Sequence, residues 1–266
     1  MSHHEPEPTA GTYVRSLERG LAVIRAFDAE HPELTLAQVA ERTGMSRASA
    51  RRFLHTLAHL GYVQVEGRAF RLGPQVLSLG YAYLSGQTLK QVAEVPLREL
   101  SARLGESVSL SVLDGAEIVY LARVTAQRIM AVDISVGTRL PAATTSMGRV
   151  LLAGRSPQEV ERHLGEHPPR ALNRHTLTDP QAVAQRIEQV RRDGWALVDQ
   201  ELEVGLRSLA VGVRGAGGEV VAGLNVSTRV GTEHAEPRRL LGPTLEALRD
   251  CAGRIEEQLR LGEHRV

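Results

Sequence analysis

The chain has 266 residues, with Lys+Arg 32 against Asp+Glu 31 and a formal net charge of +1. So even a balance excludes any argument about partners from bulk charge, and basic or acidic surfaces must be sought locally. The 42% of hydrophobic residues excludes general disorder, and the 3% of aromatics makes the core mainly Leu, Val and Ala.

The length suggests one large or two modest domains. Cys251 is the sole cysteine, which excludes an intrachain disulfide and a cysteine metal cluster. That fits a reducing cytosol, so a cytoplasmic protein is expected. No apolar run approaches the roughly 18 residues of a membrane span, so no membrane partner is expected. Residues 1–12 are polar and Pro-rich, lack a signal peptide's apolar stretch, and are expected to be a disordered tail with His3 and His4 solvated.

From Tyr13 the pattern is helical, with Leu17, Leu21, Ile24 and Phe27 forming one apolar stripe. HPEL ends that helix. Thr35 and Gln38 form a capping box for a second helix, whose Leu36, Val39 and Ala40 face inward and which Gly44 stops. Ser46 caps a third helix to about Leu60, with Ala50, Phe53, Leu54, Leu57 and Leu60 on its apolar face. Arg51, Arg52, His55 and His59 point the other way, with Ala48 between them. Two short strands, Tyr62–Val65 and Ala69–Leu72, flank the turn Glu66-Gly67. Three helices and a hairpin over residues 13–73 predict a winged helix-turn-helix. Residues 74–87 predict a linker helix, started by Pro74 and too apolar at Val76, Leu77, Leu79, Tyr81, Tyr83 and Leu84 to be solvated. It should pack on something such as a second subunit.

The character then changes. A helix is expected at about 88–104, then two strands joined by Asp114-Gly115 and a third in RIMAVDISV, residues 128–136. TTSMGRVLLAG is a short helix capped by Thr144 or Thr145 and closed by Gly154. Helices at about 157–164 and 180–193 precede the strands of WALVD and SLAVGVRGAGGEVVAGLNVS, and a last helix covers about 233–260. RGAGGEV is a hairpin turn, without the spacing or following helix of a phosphate loop. Residues 88–260 therefore predict an α+β sensor domain with an antiparallel sheet.

Two stretches carry chemistry. In TGMSRASARR, residues 43–52, small residues Ala48 and Ser49 let backbone approach a groove, Ser46 caps the helix, and Arg47, Arg51 and Arg52 can grip guanine or phosphate. From Arg42 to Arg71 there are six arginines and one acid, Glu66, so a basic patch is concealed in a near-neutral chain. Arg68 and Arg71 lie on the wing, in reach of backbone or minor groove. For any one arginine a solvated helix face is the plain alternative; for the cluster with its turn and wing, double-stranded DNA is the expected partner. In TTSMG the amides of Ser146, Met147 and Gly148 at a helix start would form an anion site, an ordinary N-cap being the alternative. Arg139 upstream would add a guanidinium or form a surface pair.

Other motifs point elsewhere. His163-x-x-Glu166-His167 matches a metalloprotease pattern and would make a zinc hydrolase, but Gly165 interrupts it and two prolines follow. Asp199, Glu201 and Glu203 resemble paired catalytic carboxylates, yet nothing accompanies them, and a solvated acidic loop is the simpler reading. A protein-binding sensor without DNA is a third possibility. No enzymatic activity, metal or cofactor is expected.

SLERGLAVIRAF, LTLAQVAERTGMSRASARRFLHTLAHLGYV and FRLGPQVLSLGYAYL resemble the DNA-binding half of the IclR family of bacterial transcription regulators. VGTRLPAATTSMGRVLLAG and VDQELEVGLRSLAVGV resemble its effector domain, and are most similar to the branch containing PcaR, PcaU and PobR, regulators of the β-ketoadipate pathway. The resemblance runs from about Tyr13 to the last helix. It implies a GAF-like effector domain and a cleft for a small carboxylic acid, lined at the matching positions by Ser146, Met147, Gly148, Asp199, Ser208, Asn225 and Ser227. Some family members carry cysteine where Ser208 stands. Protocatechuate, 4-hydroxybenzoate or β-ketoadipate is the implied effector. A homodimer or tetramer is implied too, with Arg207 paired to a neighbouring acid.

Overall fold

A computed structural model describes residues 13–28, 30–79, 88–126 and 134–263. The expected tail, linker residues 80–87 and most of the expected strand in RIMAVDISV lie outside the described residues. The chain divides into two compact units between residues 86 and 87.

The first unit runs α1 (Arg15–Arg25), β1 (Glu33–Thr35), α2 (Leu36–Thr43), α3 (Arg47–His59), β2 (Val63–Glu66) and β3 (Ala69–Leu72). Its boundaries follow local chemistry. The Thr35–Gln38 capping box forms, Gly44 closes α2 at φ 64°, and the Ser46 hydroxyl accepts from the Ser49 amide at 3.2 Å. Val23, Phe27, Leu34, Val39, Leu54, Val63 and Phe70 share one core.

Three expectations change. HPEL does more than end a helix, since Leu34 pairs with Phe70 and makes β1 the third strand of the wing sheet, in the order β1-β3-β2. The stripe on α1 is not buried as a whole. Val23, Ala26 and Phe27 enter the core, but Leu17 is 63% exposed and Leu21 47%. Periodicity shows that residues share a face, not that a neighbour covers it. Leu60 is 55% exposed because α3 ends one residue earlier and Leu60 is its C-cap. Residues 76–79 are helical, with Leu77 and Leu79 exposed.

The second unit holds a six-stranded sheet in the order β6-β5-β4-β9-β8-β7, every described pair antiparallel. Its strands are β4 (Ser107–Asp114), β5 (Glu117–Val124), β6 (Arg139–Pro141), β7 (Trp195–Asp199), β8 (Leu206–Arg214) and β9 (Val220–Arg229). The helices α4 (Thr88–Leu104) and α8 (Leu245–Glu263) pack together on one face, over Leu110, Leu209 and Leu224. On the other face lies α5 (Ser146–Ala153), backed by α6 (Pro157–Glu166) and α7 (Pro180–Asp193), in a core with Tyr120, Met147, Leu151 and Ile187. Helices on both faces of an antiparallel sheet fulfil the α+β expectation.

Residues 134–136 form no strand, and β6 instead pairs Leu140 with Ile118. The last helix starts at Leu245, not near 233. Pro243 and the non-helical Gly242 break the preceding stretch into short turns, because proline lacks an amide and crowds the turn before it.

Two glycines let α5 lie close. A Cβ at Gly148 would stand 2.1 Å from the Ala142 carbonyl oxygen, and one at Gly223 would stand 2.9 Å from the Met147 Cβ.

Candidate functional site

In the first unit, Ser46, Arg47, Ala48, Arg51 and Arg52 are exposed along one side of α3, and Ser49 is half-buried behind its cap bond. Among the described residues no carboxylate pairs with Arg47, Arg51, Arg52 or Arg68. Arg51 Nε lies 3.5 Å from His55 Nε2, so this row stays cationic. The patch is smaller than the six arginines suggest. Arg42 pairs with Asp28 at 2.6 Å, and Arg71, expected on the wing with Arg68, pairs with Glu66 and donates to Gln64 at 2.9 Å. The one acid of the stretch, Glu66, thus takes Arg71, and Asp28 from outside the stretch takes Arg42.

In the second unit the polar residues come together through strand register. Ser208, Ser227 and Ser107 lie in one row across β8, β9 and β4, and Asn225, Ser109 and Arg123 in the next across β9, β4 and β5. Val108 and Leu110 of β4 point to the α4–α8 side, so the alternating serines face α5. Over this floor Ser146 Oγ meets Ser208 Oγ at 2.7 Å, Ser111 donates to Met147 Sδ at 3.2 Å, and Asn225 Nδ2 donates to Ser208 Oγ at 2.7 Å and Ser227 Oγ at 3.2 Å. Between them is a small cavity of about 20 Å³, also bordered by Tyr120, Ile134, Val198, Leu202 and Leu206. Asn225 Oδ1 is buried with no hydrogen-bond partner. Burial pushes the Tyr120 hydroxyl up to about 12.

Five of the seven expected lining residues therefore meet: Ser146, Met147, Ser208, Asn225 and Ser227. Gly148 does not line the cavity. Its amide donates to the Thr145 cap at 3.2 Å, and its missing side chain admits Ala142. Asp199 is elsewhere, paired with Arg207 at 2.6 Å and bordering a separate groove of about 410 Å³ with Arg186 and Trp195. The Arg207 guanidinium holds the Asp199 carboxyl below the usual carboxylate range. Arg139 forms the surface pair, with Asp114 and Glu117, each at 2.7 Å.

Glu201 departs most from expectation. It is not a solvated acid: both its oxygens accept from Arg149 at 2.7 Å, and the Leu177 amide adds a bond of 3.1 Å. Arg149 also donates to the Ala143 carbonyl at 2.9 Å. The pair fastens α5, which bears Ser146 and Met147, to the turn bearing Leu202. Sequence reasoning passed over Arg149, though an arginine inside the apolar run SMGRVLLA was a signal that it needed a buried partner.

The histidine motif ends α6. The helix runs through Gly165 to Glu166, and His167 is already its non-helical C-cap. The rings do approach, edge to face at 5.5 Å, and burial, then His167, lowers the His163 pKa. Among the described residues no three His, Cys, Asp or Glu side chains are grouped to hold a metal. No described helix is long and apolar enough to cross a membrane. Cys251 is buried in α8, its thiol pushed up to about 12.

Residues 16–67 match the IclR helix-turn-helix domain, and residues 81–257 match the bacterial transcriptional regulator IclR C-terminal domain. The Pca regulon regulatory protein of Pseudomonas putida is 47% identical over 91% of this chain and 84% of its own length. The p-hydroxybenzoate hydroxylase transcriptional activator of Acinetobacter baylyi is 34% identical over 95% and 94%. Among solved structures, a transcriptional regulator from Rhodococcus sp. RHA1 superposes with a TM-score of 0.82 at 48% identity, over 93% of this chain and 98% of that one. An IclR homolog of Microbacterium hydrocarbonoxydans complexed with 4-hydroxybenzoate superposes with a TM-score of 0.80 at 26% identity, over 92% and 99%. With both halves matched in order, this chain belongs to the IclR family of bacterial transcriptional regulators.

Proposed function

We propose that the protein binds operator DNA through α3 and that a small aromatic acid, or a product of its breakdown, controls it from the cavity under α5. The observation that carries this reading is the division of labour between the units: an exposed basic row on one, a small cavity with serine and asparagine groups among apolar walls in the other. Ser46, Arg47, Ala48, Ser49, Arg51 and Arg52 would face the major groove, with Arg68 at the wing tip on backbone. Residues 13–73 would be the DNA-binding domain, 74–87 the linker and 88–260 the effector domain.

A second copy would cover exposed Leu17 and Leu21 of α1 and pair two recognition helices on a near-palindromic site. Ser146, Met147, Ser208, Asn225 and Ser227 would hold the effector. The relatives named for the Pca regulon and for p-hydroxybenzoate hydroxylase, and the neighbour holding 4-hydroxybenzoate, support protocatechuate, 4-hydroxybenzoate or β-ketoadipate. The cavity as it stands has room for about one water molecule, so a ring enters only if its walls give. That displacement is the physical route to regulation, because an effector shifts an equilibrium only by binding one arrangement better than the other.

Calorimetry with the three acids tests the cavity, and a gel shift with DNA from the promoter beside its own gene tests α3. Heat with at least one acid, and a shift that the same acid alters, are expected. No heat with any of the three would remove the effector reading.

A further inference from the structure

A ring enters the cavity only by moving a wall, and the walls differ in what such a movement breaks. Tyr120, Val198, Leu206, Ser208, Asn225 and Ser227 stand on paired strands, where a shift costs ladder bonds. Ser146 and Met147 start α5, which Arg149 ties to Glu201 and which two glycines let press on Ala142 and the sheet. Thr144, Thr145 and Ile134 are buried. Leu202 differs from all of these. It is half-buried and lies in the turn of residues 200–205, between β7 and β8.

That turn is fastened at its base and loose at its tip. Besides the Glu201 carboxylate bonds to Arg149 and the Leu177 amide, the Glu201 carbonyl oxygen accepts from Thr176 Oγ1 at 2.7 Å. Asn173 Nδ2 donates to the Gln200 carbonyl oxygen at 3.0 Å, and the Gln200 amide donates to the Leu206 carbonyl oxygen at 2.7 Å. Gln200 is held there at φ 63°, the one left-handed non-glycine among the described residues. Such a conformation persists where the surroundings impose it, and it marks a base that is pinned. Past Glu201 the bonding thins. Among the described residues, Leu202, Glu203 and Val204 take part in one hydrogen bond, from the Leu206 amide to the Glu203 carbonyl oxygen at 3.1 Å. Val204 is exposed, and Gly205, at φ 87°, changes its dihedrals with no side chain in the way. A tip with so little to lose swings while its base stays fixed.

We propose that Leu202 is the yielding wall and determines effector specificity by size: residues 202–204 move outward to admit one aromatic ring, while Gln200 and Glu201 keep α5 in place. This rests on the cavity being the effector site, and it names the residue that gates and filters it. An acid that fits only the displaced arrangement draws the turn into it. The apolar side chain of Leu202 then sets the width, since one methylene in an apolar pocket changes binding by roughly 10- to 200-fold.

The test is calorimetry on the full chain. It compares the tighter of 4-hydroxybenzoate and protocatechuate with 6-hydroxy-2-naphthoate, a wider acid on fused rings. The wild type should prefer the single ring by roughly tenfold or more. Leu202→Ala removes the branched end of the side chain and should cut that preference by roughly tenfold, by strengthening the naphthoate. Leu202→Phe should weaken both acids. Val204→Ala, on the same tip but outside the lining, should leave both within about twofold of wild type. Should Leu202→Ala not fold, Leu202→Val carries the same comparison with a smaller change. An unchanged preference in Leu202→Ala, or an equal effect of Val204→Ala, overturns the role of Leu202. So does a wild type that binds the naphthoate as tightly as the single ring, or that binds β-ketoadipate and neither ring acid. If the wild type binds none of the three acids, the cavity itself has been misread and this inference falls with it.

Discussion

Replacing Glu201 by Leu strands a guanidinium inside the second unit. The side chains of Arg149 and Glu201 are 4% and 12% exposed, with two parallel bonds of 2.7 Å between them. At that depth the surviving charge is hydrated and screened far less than on the surface. Removing one partner of a buried pair costs about 3–5 kcal/mol. For a unit of this size that lowers its melting temperature by roughly 6–20 °C. Trp195, the only tryptophan, lies in the same unit and borders the same groove as Arg149 and Glu201. Its fluorescence in urea therefore follows the relevant transition and not the unfolding of the other unit. The double variant Arg149→Met with Glu201→Leu is the sharper measurement. Replacing both charges by apolar groups of similar bulk is often neutral. It should therefore recover most of what the single variant loses. A Glu201→Leu protein within about 1 kcal/mol of wild type, or a double variant no better than the two losses added, would refute the account of a desolvated, mutually dependent pair.

Four further outcomes are expected. Arg51→Ala and Arg52→Ala should each weaken promoter binding and lower the salt slope by about 0.9 for each phosphate the arginine neutralises, and unchanged affinity with an unchanged slope would contradict the assignment of α3. Gly148→Ala drives a Cβ to 2.1 Å from the Ala142 oxygen and should cost about 1–3 kcal/mol or more in urea. Gly165→Ala, with nothing within 4 Å, is the control and should not destabilise. Cys251, with its thiol pushed up to about 12, should resist iodoacetamide at pH 8 until urea unfolds the chain, and rapid native labelling would show the site to be open. Because Arg207 depresses the Asp199 pKa, their pairing adds stability above the unfolded carboxylate value and loses it as pH falls through the lower folded one. Asp199→Asn should therefore show a shallower acid loss, measurable by urea midpoints from pH 6 down to 3.

Much of the fold was legible because its signals are local. Thr35 caps with Gln38 three residues on, Ser46 with the Ser49 amide, and Thr145 with the Gly148 amide. The Asp114-Gly115 hairpin and the wing turn at Glu66-Gly67 needed only residues able to take their dihedrals. The basic row on α3 was legible for the same reason, since 3.6 residues per turn places Arg47, Arg51 and the caps without reference to the rest of the chain.

The site depended on distant partners. Nothing in the spacing tells that Ser109 will lie opposite Asn225 or that Ser146 will touch Ser208; the expected pairing of Arg207 with a neighbouring acid does form, but that the acid is Asp199, away from the cavity, was not legible. The sequence by itself determined where helices start, stop and turn, and which faces are apolar or basic, because those follow from bonds closed within three or four residues. Tertiary structure alone decided which faces are covered: why Leu17 and Leu21 stay exposed, why Glu201 is buried against Arg149, and which polar groups share a cavity. Those outcomes depend on strand pairs and helix packing between segments far apart in the chain, where no local rule fixes the register.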